Sequence, residues 1–274
     1  MQKRTDYHIH PDFSPDADKV KIRDYCHRAL ALQIEEICFT THFEFNRPYF
    51  SFPPDWLDNY FAEIGQAQAE FTQQGLRIKA GIEIGYQRGC EKEIENIVTQ
   101  HPFDYVLGAI HHMAGYSIAS LAESPGYFGS RDLKTVRQEY FALLAEAVKS
   151  GLFDAIAHLD IYTRYGIRHF GNDILTIHRG IVEPILQEMA KRNMGLEINT
   201  SSLSRGLKEF HPSKEVIALA KKAGIKIFTV GSDAHKLEEL GRHIDEALAL
   251  LDEFGLVNHV FTRHVASLSG PPSP

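Results

Sequence analysis

Two histidines near the start of the chain have the spacing of a metal-binding pair. His8 and His10 alternate with Tyr7 and Ile9 in a short strand-like run, and side chains two residues apart in a strand point to the same face. At the end of a strand, the two imidazoles can therefore present nitrogens to one metal ion. The pair alone is not specific, because a His-x-His spacing also occurs on solvated strand edges.

The other predicted strands also end in residues that can bind a metal or form hydrogen bonds. In a parallel barrel the carboxyl ends of all strands meet at one mouth. We therefore expect these groups to gather in a single pocket, although they are scattered along most of the chain. The strand ends are Thr41-His42, Gly81-Ile82-Glu83, His111-His112, His158-Leu159-Asp160, Leu196-Glu197-Ile198-Asn199-Thr200 and Ser232-Asp233-Ala234-His235.

The number of candidate ligands predicts more than one metal ion, because one ion takes about four to six ligands. Imidazole and carboxylate ligands without thiolate suit zinc, manganese or iron, and two or three such divalent ions bridged by a carboxylate fit the set. Ions a few ångströms apart activate water and clamp phosphate oxygens during in-line displacement. The residues thus favour phosphate ester hydrolysis. The candidates are His8, His10, Asp16, His42, Glu83, His111, His158, Asp233 and His235.

Strand-like and helix-like runs alternate along the chain, which predicts an α/β fold with a parallel sheet and crossover helices. Seven strands indicate a barrel with one strand fewer than a TIM barrel. An open doubly wound sheet is the alternative, but no Gly-rich phosphate loop follows the first strand. The predicted strands are Arg4–His10, Glu36–His42, Arg77–Tyr86, Asp104–His112, Asp154–Asp160, Gly195–Thr200 and Lys226–Asp233. The predicted helices are Lys19–Leu32, Asp55–Gln74, Leu133–Ser150, Ile174–Arg192 and Ser213–Ala223.

Composition and charge narrow the classes of function. The chain has 274 residues, 43% of them hydrophobic and 24% charged, which suits one α/β domain over residues 1–274. A formal net charge of −7 disfavours a nucleic-acid partner. No run resembles a signal peptide or a membrane span, so we expect a cytoplasmic protein without a membrane partner. A Pro-rich tail from about residue 267 is predicted to be disordered.

As a set, the motifs resemble the polymerase and histidinol phosphatase (PHP) family over about residues 4 to 240. Within that family, the chain is most similar to the monofunctional histidinol-phosphate phosphatases. The resemblance implies a distorted (β/α)7 TIM-like barrel with its metal site at the C-terminal ends of the strands. The supporting motifs are Asp6-x-His8-x-His10 with Ser14 and Asp16, Thr41-His42, Gly81-x-Glu83, His158-Leu159-Asp160 with Arg164-Tyr165-Gly166, Leu196-Glu197-Ile198-Asn199-Thr200 and Gly231-Ser232-Asp233-Ala234-His235.

Carried over residue by residue, the resemblance implies three metal positions. His111 is chosen over His112 by motif alignment, since strand alternation lets only one of them face inward. Asp16 has a second interpretation, as the cap of a helix predicted to begin near Asp18. The three implied sets are His8, His10, Glu83 and Asp233; Glu83 as a bridge with His111 and His158; and Asp16, His42 and His235.

The resemblance also implies residues for catalysis and for substrate binding. Arg164 is expected to grip the phosphate with its planar donor fork. Similar phosphatases can carry an arginine directly after the Glu-Ile-Asn-Thr run, where this chain has Ser201 and Ser202. Arg205 replaces that arginine if the loop folds back. The implied catalytic residues are Glu83, Asp233, His235 and Arg164, and the implied substrate-binding residues are Arg164, Arg205, Glu44 and Ser201.

The expected activity is metal-dependent hydrolysis of a phosphate monoester, namely L-histidinol phosphate in histidine biosynthesis. One alternative is a PHP phosphoesterase that acts on another small phosphate, such as a nucleotide. Another is a non-catalytic, metal-binding regulatory barrel. An amidohydrolase is disfavoured, because Tyr105–His112 of the fourth predicted strand lacks the lysine that such enzymes usually place there. We expect a small-molecule substrate as the partner, and a monomer or a homodimer.

Overall fold

The chain folds as a parallel sheet wrapped into a barrel, with two small hairpins outside it. The computed structural model describes residues 2–45 and 52–270. Its strands are β1 (Thr5–Ile9), β2 (Glu36–Phe43), β3 (Arg77–Gly85), β4 (Tyr105–Ala109), β5 (His112–Met113), β6 (Tyr116–Ser117), β7 (Ala155–Ile156), β8 (Gly195–Asn199), β9 (Phe228–Gly231), β10 (His259–Thr262) and β11 (Val265–Leu268). The barrel sheet has the order β1-β2-β3-β4-β7-β8-β9, so its strands follow one another in chain order.

The sheet closes where its first and last strands meet. Ile9 and Ala234 form a parallel bridge, in which the His10 amide donates to the Ala234 carbonyl at 2.9 Å and the Ala234 amide donates to the His8 carbonyl at 3.2 Å. The buried Asp6 carboxylate also joins these strands, because it accepts a hydrogen bond from the Ser232 amide at 2.9 Å. The predicted seven-stranded α/β barrel is therefore confirmed.

Helices cover the outside of the barrel through apolar stripes. In α2 the buried residues Trp56, Tyr60, Ile64, Ala67 and Phe71 recur every three or four positions, which places them on one helix face. Among the described residues, no helix is long and apolar enough to cross a bilayer. The helices are α1 (Ile22–Ala31), α2 (Trp56–Phe71), α3 (Glu91–Gln100), α4 (Ser124–Phe128), α5 (Leu133–Ser150), α6 (Thr163–Phe170), α7 (Glu183–Lys191), α8 (Ser201–Ser204), α9 (Lys214–Ala223) and α10 (Ile244–Glu253).

The observed elements differ from the predicted ones in several places, and the fifth strand and the helix predicted from Ile174 differ most. The strand predicted to run to Asp160 ends at Ile156, because the backbone turns at His158 with φ of +27°. The helix predicted from Ile174 begins only at Glu183. Residues 171–176 form a 3-10 turn, and Gly180, with φ of +75°, separates that turn from the helix.

The hairpin of β10 and β11 closes the end of the barrel opposite the strands' carboxyl ends. Phe261 is 2% exposed; its ring lies 4.7 Å from that of Tyr105, and its amide donates to the Tyr7 hydroxyl at 2.8 Å. The chain thus remains paired through Leu268, past the point where the tail was predicted to become disordered. The last four residues, and residues 46–51 between β2 and α2, lie outside the described part of the chain.

Candidate metal centre

Nine side chains with metal-binding chemistry lie together at the carboxyl end of the barrel. They come from β1, β2 and β3, and from the turns that follow β1, β4, β7 and β9. The register of the sheet explains part of this convergence, since His42 on β2 pairs directly with Glu83 on β3. All nine were singled out by the sequence, and eight of them are buried or nearly so. They are His8, His10, Asp16, His42, Glu83, His111, His158, Asp233 and His235.

Glu83 lies at the middle of the cluster. Its Oε2 is 2.9 Å from His42 Nδ1, 3.3 Å from His8 Nε2 and 3.6 Å from His10 Nε2. Its Oε1 is 2.9 Å from His158 Nε2 and 3.3 Å from His111 Nε2. A fully buried carboxylate is costly unless cations or hydrogen-bond donors surround it. The two oxygens of Glu83 thus face histidines from five separate positions of the chain, as a bridging ligand would.

Two aspartates complete the cluster, the buried Asp233 and the exposed Asp16. Asp233 Oδ1 lies 3.4 Å from His10 Nε2 and 3.4 Å from His235 Nδ1. Asp16 Oδ2 lies 3.4 Å from His42 Nε2 and 3.5 Å from His235 Nε2. Asp16 does not cap the first helix, because α1 begins only at Ile22. The interpretation of Asp16 as a helix cap is therefore wrong, and its carboxylate faces the histidines.

Two members of the cluster have a left-handed backbone conformation. His158 has φ of +27° and Asp233 has φ of +57°, and such angles are uncommon outside glycine. Strained backbone of this kind concentrates at functional sites, where the surrounding structure holds it in place. Both turns aim a side chain into the mouth of the barrel immediately after a strand has ended.

The residues present fit a metal centre. His8 Nε2 and His10 Nε2 are buried and make no hydrogen bond within the described part of the chain, and buried polar atoms of this kind need a partner. Four groups of three residues have the geometry of a metal site. In each group, the three residues each contribute one nitrogen or oxygen atom, and these atoms all lie within 4.8 Å of one another. A nitrogen and oxygen donor set without sulfur suits zinc, manganese or iron. The groups are His8, His10 and Asp233; His8, Glu83 and His158; His42, Glu83 and His111; and His10, His42 and His235.

The electrostatics keep the carboxylates ionised and one imidazole neutral. Burial raises the pKa of Glu83, but the imidazoles of His8, His111 and His42 outweigh it and hold that pKa well below its usual value. Burial, together with the neighbouring His42, lowers the pKa of His10. Only the neutral imidazole has a lone pair for a metal. The environment therefore favours the forms of Glu83 and His10 that bind cations.

Arginine side chains line one side of a cavity of about 680 Å³ above the cluster. Arg164 on α6 is buried, and its Nη2 donates to Ser201 Oγ at 2.9 Å and to Asp233 Oδ2 at 3.2 Å. Burial and the nearby Arg205 lower its pKa. Arg205 and Ser201 line the same cavity. The structure thus places three of the four residues predicted to bind substrate on one wall, beside Asp233.

Glu44, the fourth of these residues, holds histidines within the cavity wall. It is 3% exposed; its Oε1 lies 2.5 Å from His111 Nδ1, and its Oε2 lies 3.2 Å from His112 Nδ1. Burial raises the pKa of Glu44, but His111 outweighs it and lowers the pKa to about 2. Of the two adjacent histidines, His111 reaches Glu83. Carboxylates that hold the far nitrogen of a histidine orient its metal-binding nitrogen.

Sequence reasoning gave no role to Glu197 or to Glu123. Glu197 on β8 is 1% exposed, and His8 Nδ1 lies 2.6 Å from its Oε1. The sequence does contain a pattern that indicates Glu197, because it is a glutamate within the apolar run Leu196-Glu197-Ile198, as Glu83 is within its own apolar strand. Glu123, which lines the cavity and accepts the Ser117 amide at 3.0 Å, sits in an irregular loop that carries no comparable pattern.

Comparisons with known proteins identify the family of the chain. The family model of the PHP domain matches residues 6–201. A probable histidinol-phosphatase of Deinococcus radiodurans is 30% identical over 254 residues, which cover 91% of this chain and 93% of the relative. The histidinol-phosphatase of Lactococcus lactis is also 30% identical over 254 residues, with 92% of each chain covered.

A solved structure extends the likeness to three dimensions. The crystal structure of histidinol phosphate phosphatase from Lactococcus lactis, complexed with zinc, L-histidinol and phosphate, aligns with a TM-score of 0.81 and 25% identity. The alignment covers 97% of this chain and all of that chain. With the family model matching most of the barrel and the cluster in place at its mouth, the chain belongs to the PHP domain family.

Proposed function

We propose that this protein is a metal-dependent phosphomonoesterase that converts L-histidinol phosphate and water to L-histidinol and phosphate. One observation carries the proposal: the cluster around Glu83 shares a cavity with Arg164 and Arg205. Multiple cation ligands beside a planar cationic fork are what a phosphate monoester requires. The relative of known structure, solved with zinc, L-histidinol and phosphate, supports this choice of substrate.

The nine clustered side chains are the proposed ligands of two or three divalent ions. Zinc is favoured because the Lactococcus lactis structure contains it, and manganese and iron suit the same donors. Such ions, when bound, lower the pKa of water and offset charge on phosphoryl oxygens. Glu83 would supply the bridge, because both of its oxygens face histidines. Asp233 would hold a cation through Oδ1, and its Oδ2 accepts a hydrogen bond from Arg164 and so orients that side chain.

The remaining cavity residues divide between the two ends of the proposed substrate. Arg164 and Arg205 bind the phosphate, with Ser201 holding Arg164 in position. On the loop between β6 and α4, Glu123 has one oxygen fixed by the Ser117 amide and presents a carboxylate to the cavity. We assign Glu123, in place of Glu44, to the substrate's ammonium group. The oxygens of Glu44 are already directed at His111 and His112.

Steady-state kinetics on a panel of phosphate monoesters tests the proposal. The zinc-, manganese- and iron-loaded proteins are assayed with L-histidinol phosphate, nucleoside monophosphates and an aryl phosphate that lacks an ammonium group. We expect kcat/KM for L-histidinol phosphate to exceed the others by at least about tenfold. A nucleotide that is hydrolysed more efficiently would replace the substrate and leave the reaction class standing. Metal binding without any turnover would favour the non-catalytic barrel.

A further inference from the structure

Glu197 is a buried carboxylate whose two oxygens contact two candidate metal ligands, His8 and His158, and the nearby Asn199. Three N–H groups point at it. His8 Nδ1 lies 2.6 Å from Oε1, the His158 backbone amide donates to Oε2 at 2.9 Å, and Asn199 Nδ2 donates to Oε2 at 3.2 Å. These contacts reach from β8 to residues after β7 and on β1, so one side chain spans three strands of the barrel.

The contact with His8 determines which nitrogen of that ring is free to bind a cation. His8 Nε2 faces Glu83 Oε2 at 3.3 Å and Asp233 Oδ1 at 3.7 Å, so Nε2 is the nitrogen directed into the cluster. A neutral imidazole carries one proton, and the protonated nitrogen cannot be a ligand. With Glu197 as an acceptor at Nδ1, a neutral His8 ring carries its proton there, and Nε2 keeps the lone pair that a cation requires.

The contact with His158 determines the direction of a second candidate ligand. The His158 amide leaves the barrel ladder and donates to Glu197 while the backbone adopts φ of +27°. This turn brings His158 Nε2 to 2.9 Å from Glu83 Oε1. The imidazoles of His8 and His158 thus face the two oxygens of Glu83. Glu197 contacts the other ring nitrogen of His8 and the backbone amide of His158.

Glu197 and His8 pack closely against the backbone of Gly231. A Cβ on Gly231 would lie 2.5 Å from Glu197 Oε1 and would overlap the Cβ of His8. Glycine at this position on β9 therefore makes room for the contact between Glu197 and His8. A carboxylate that served only the stability of the barrel would not need its oxygens directed at two candidate ligands.

We propose that Glu197 is a positioning residue that sets the His8 tautomer and the His158 backbone for metal binding. The inference rests on the proposed function only in taking the cluster to be metal-loaded. Outer partners of metal-binding histidines typically change metal affinity by about 10- to 100-fold when removed. We assign an effect of that size to Glu197.

The experiment compares zinc affinity in two variants by competition with a chromogenic chelator, without substrate. Glu197→Gln keeps the shape but replaces one oxygen with an NH2 donor, which must face an N–H of His8, His158 or Asn199. Glu36→Gln is the matched control. Glu36 is 2% exposed, starts β2 at the opposite end of the barrel, and contacts the Tyr7 hydroxyl and Arg77.

We expect Glu197→Gln to weaken zinc binding by at least about tenfold and Glu36→Gln to bind zinc as the unaltered protein does, even if both variants unfold at lower temperature. Equal zinc affinity in all three proteins would overturn the proposal, as would an equal loss in both variants. If Glu197→Gln does not fold, Glu197→Asp, which withdraws both oxygens by one methylene, is measured under the same criteria. Failure of the unaltered protein to hydrolyse L-histidinol phosphate would count against the proposed function alone.

Discussion

At the scale of single residues, Glu83 contributes the most to the geometry of the site. It is the one member of the cluster whose two oxygens each lie within 3.3 Å of two imidazole nitrogens. Its negative charge also makes it favourable for several histidines to lie close together in a buried space. The same histidines stabilise its ionised form, because they lower the pKa of the carboxyl group against the effect of burial.

Replacing Glu83 with Gln is expected to abolish both bridging and turnover. An amide has one acceptor oxygen and no charge, so it cannot serve cations on both sides. We expect kcat on L-histidinol phosphate to fall by at least about 10²- to 10³-fold, with bound metal per chain reduced by elemental analysis. Glu95→Gln, on the exposed face of α3, is the control. Near-normal turnover with full metal content in Glu83→Gln would contradict the bridging role.

Glu123 provides a test of substrate recognition that leaves the metal cluster intact. Glu123→Gln removes a charge from the cavity wall, so we expect KM for L-histidinol phosphate to rise about tenfold. KM for an aryl phosphate is expected to stay unchanged, because that substrate has no ammonium group. Glu238→Gln, at an exposed position outside the cavity wall, is the matched control. An equal rise in KM for both substrates would remove Glu123 from ammonium recognition.

At the scale of elements, the barrel was predictable because seven strand-like runs alternate with helix-like runs, and the site was predictable because those strands end in polar residues. β2, β3 and β8 fall within one residue of their predicted bounds, and α5 matches its prediction. The exceptions have physical causes. In α3 only Ile94 is buried, so no apolar stripe marks it. Thr163–Phe170 of α6 contains glycine, aromatic and β-branched residues, which have low helix propensity.

What the sequence could not predict is which groups meet across the barrel. The contact between His8 and Glu197 joins positions 189 residues apart, and no local pattern records it. The turn at His158 is likewise a tertiary effect. The His158 amide donates to the Glu197 side chain and not to a neighbouring strand. The strand is therefore shorter than predicted and spans only Ala155–Ile156.

Gly231 tests how closely the elements pack behind the site. Gly231→Ala is expected to destabilise the fold by about 1–3 kcal/mol and to weaken zinc binding, because the new methyl group displaces His8 and Glu197. Gly65→Ala is the control. No atom lies within 4 Å of a Cβ built there, and alanine in a helix such as α2 stabilises by roughly 0.5–1 kcal/mol over glycine. Urea unfolding and zinc titration give both quantities; unchanged zinc affinity in Gly231→Ala would contradict the packing argument.

At the scale of the whole molecule, the two ends of the barrel are filled by different kinds of side chain. At one end Phe261 and Tyr105 seal the interior beneath the hairpin of β10 and β11. At the other end the interior is filled by imidazoles and carboxylates, whose mutual burial is unfavourable without cations. Part of the stability of the native state is therefore expected to come from bound metal, since a ligand that binds only the folded state stabilises it.

Removal of metal is thus expected to lower the unfolding temperature. Free zinc at 100 times its Kd adds about 2.7 kcal/mol of stability, which for a chain of this size corresponds to a shift of roughly 5–10 °C. Scanning calorimetry of the chelator-treated protein, before and after zinc is restored, measures the shift. Glu83→Gln should show a smaller response, because its bridge is lost, whereas Glu95→Gln should respond fully. An unfolding temperature independent of zinc would mean that the polar interior is stable on its own, and the cluster would then need a role other than holding metal.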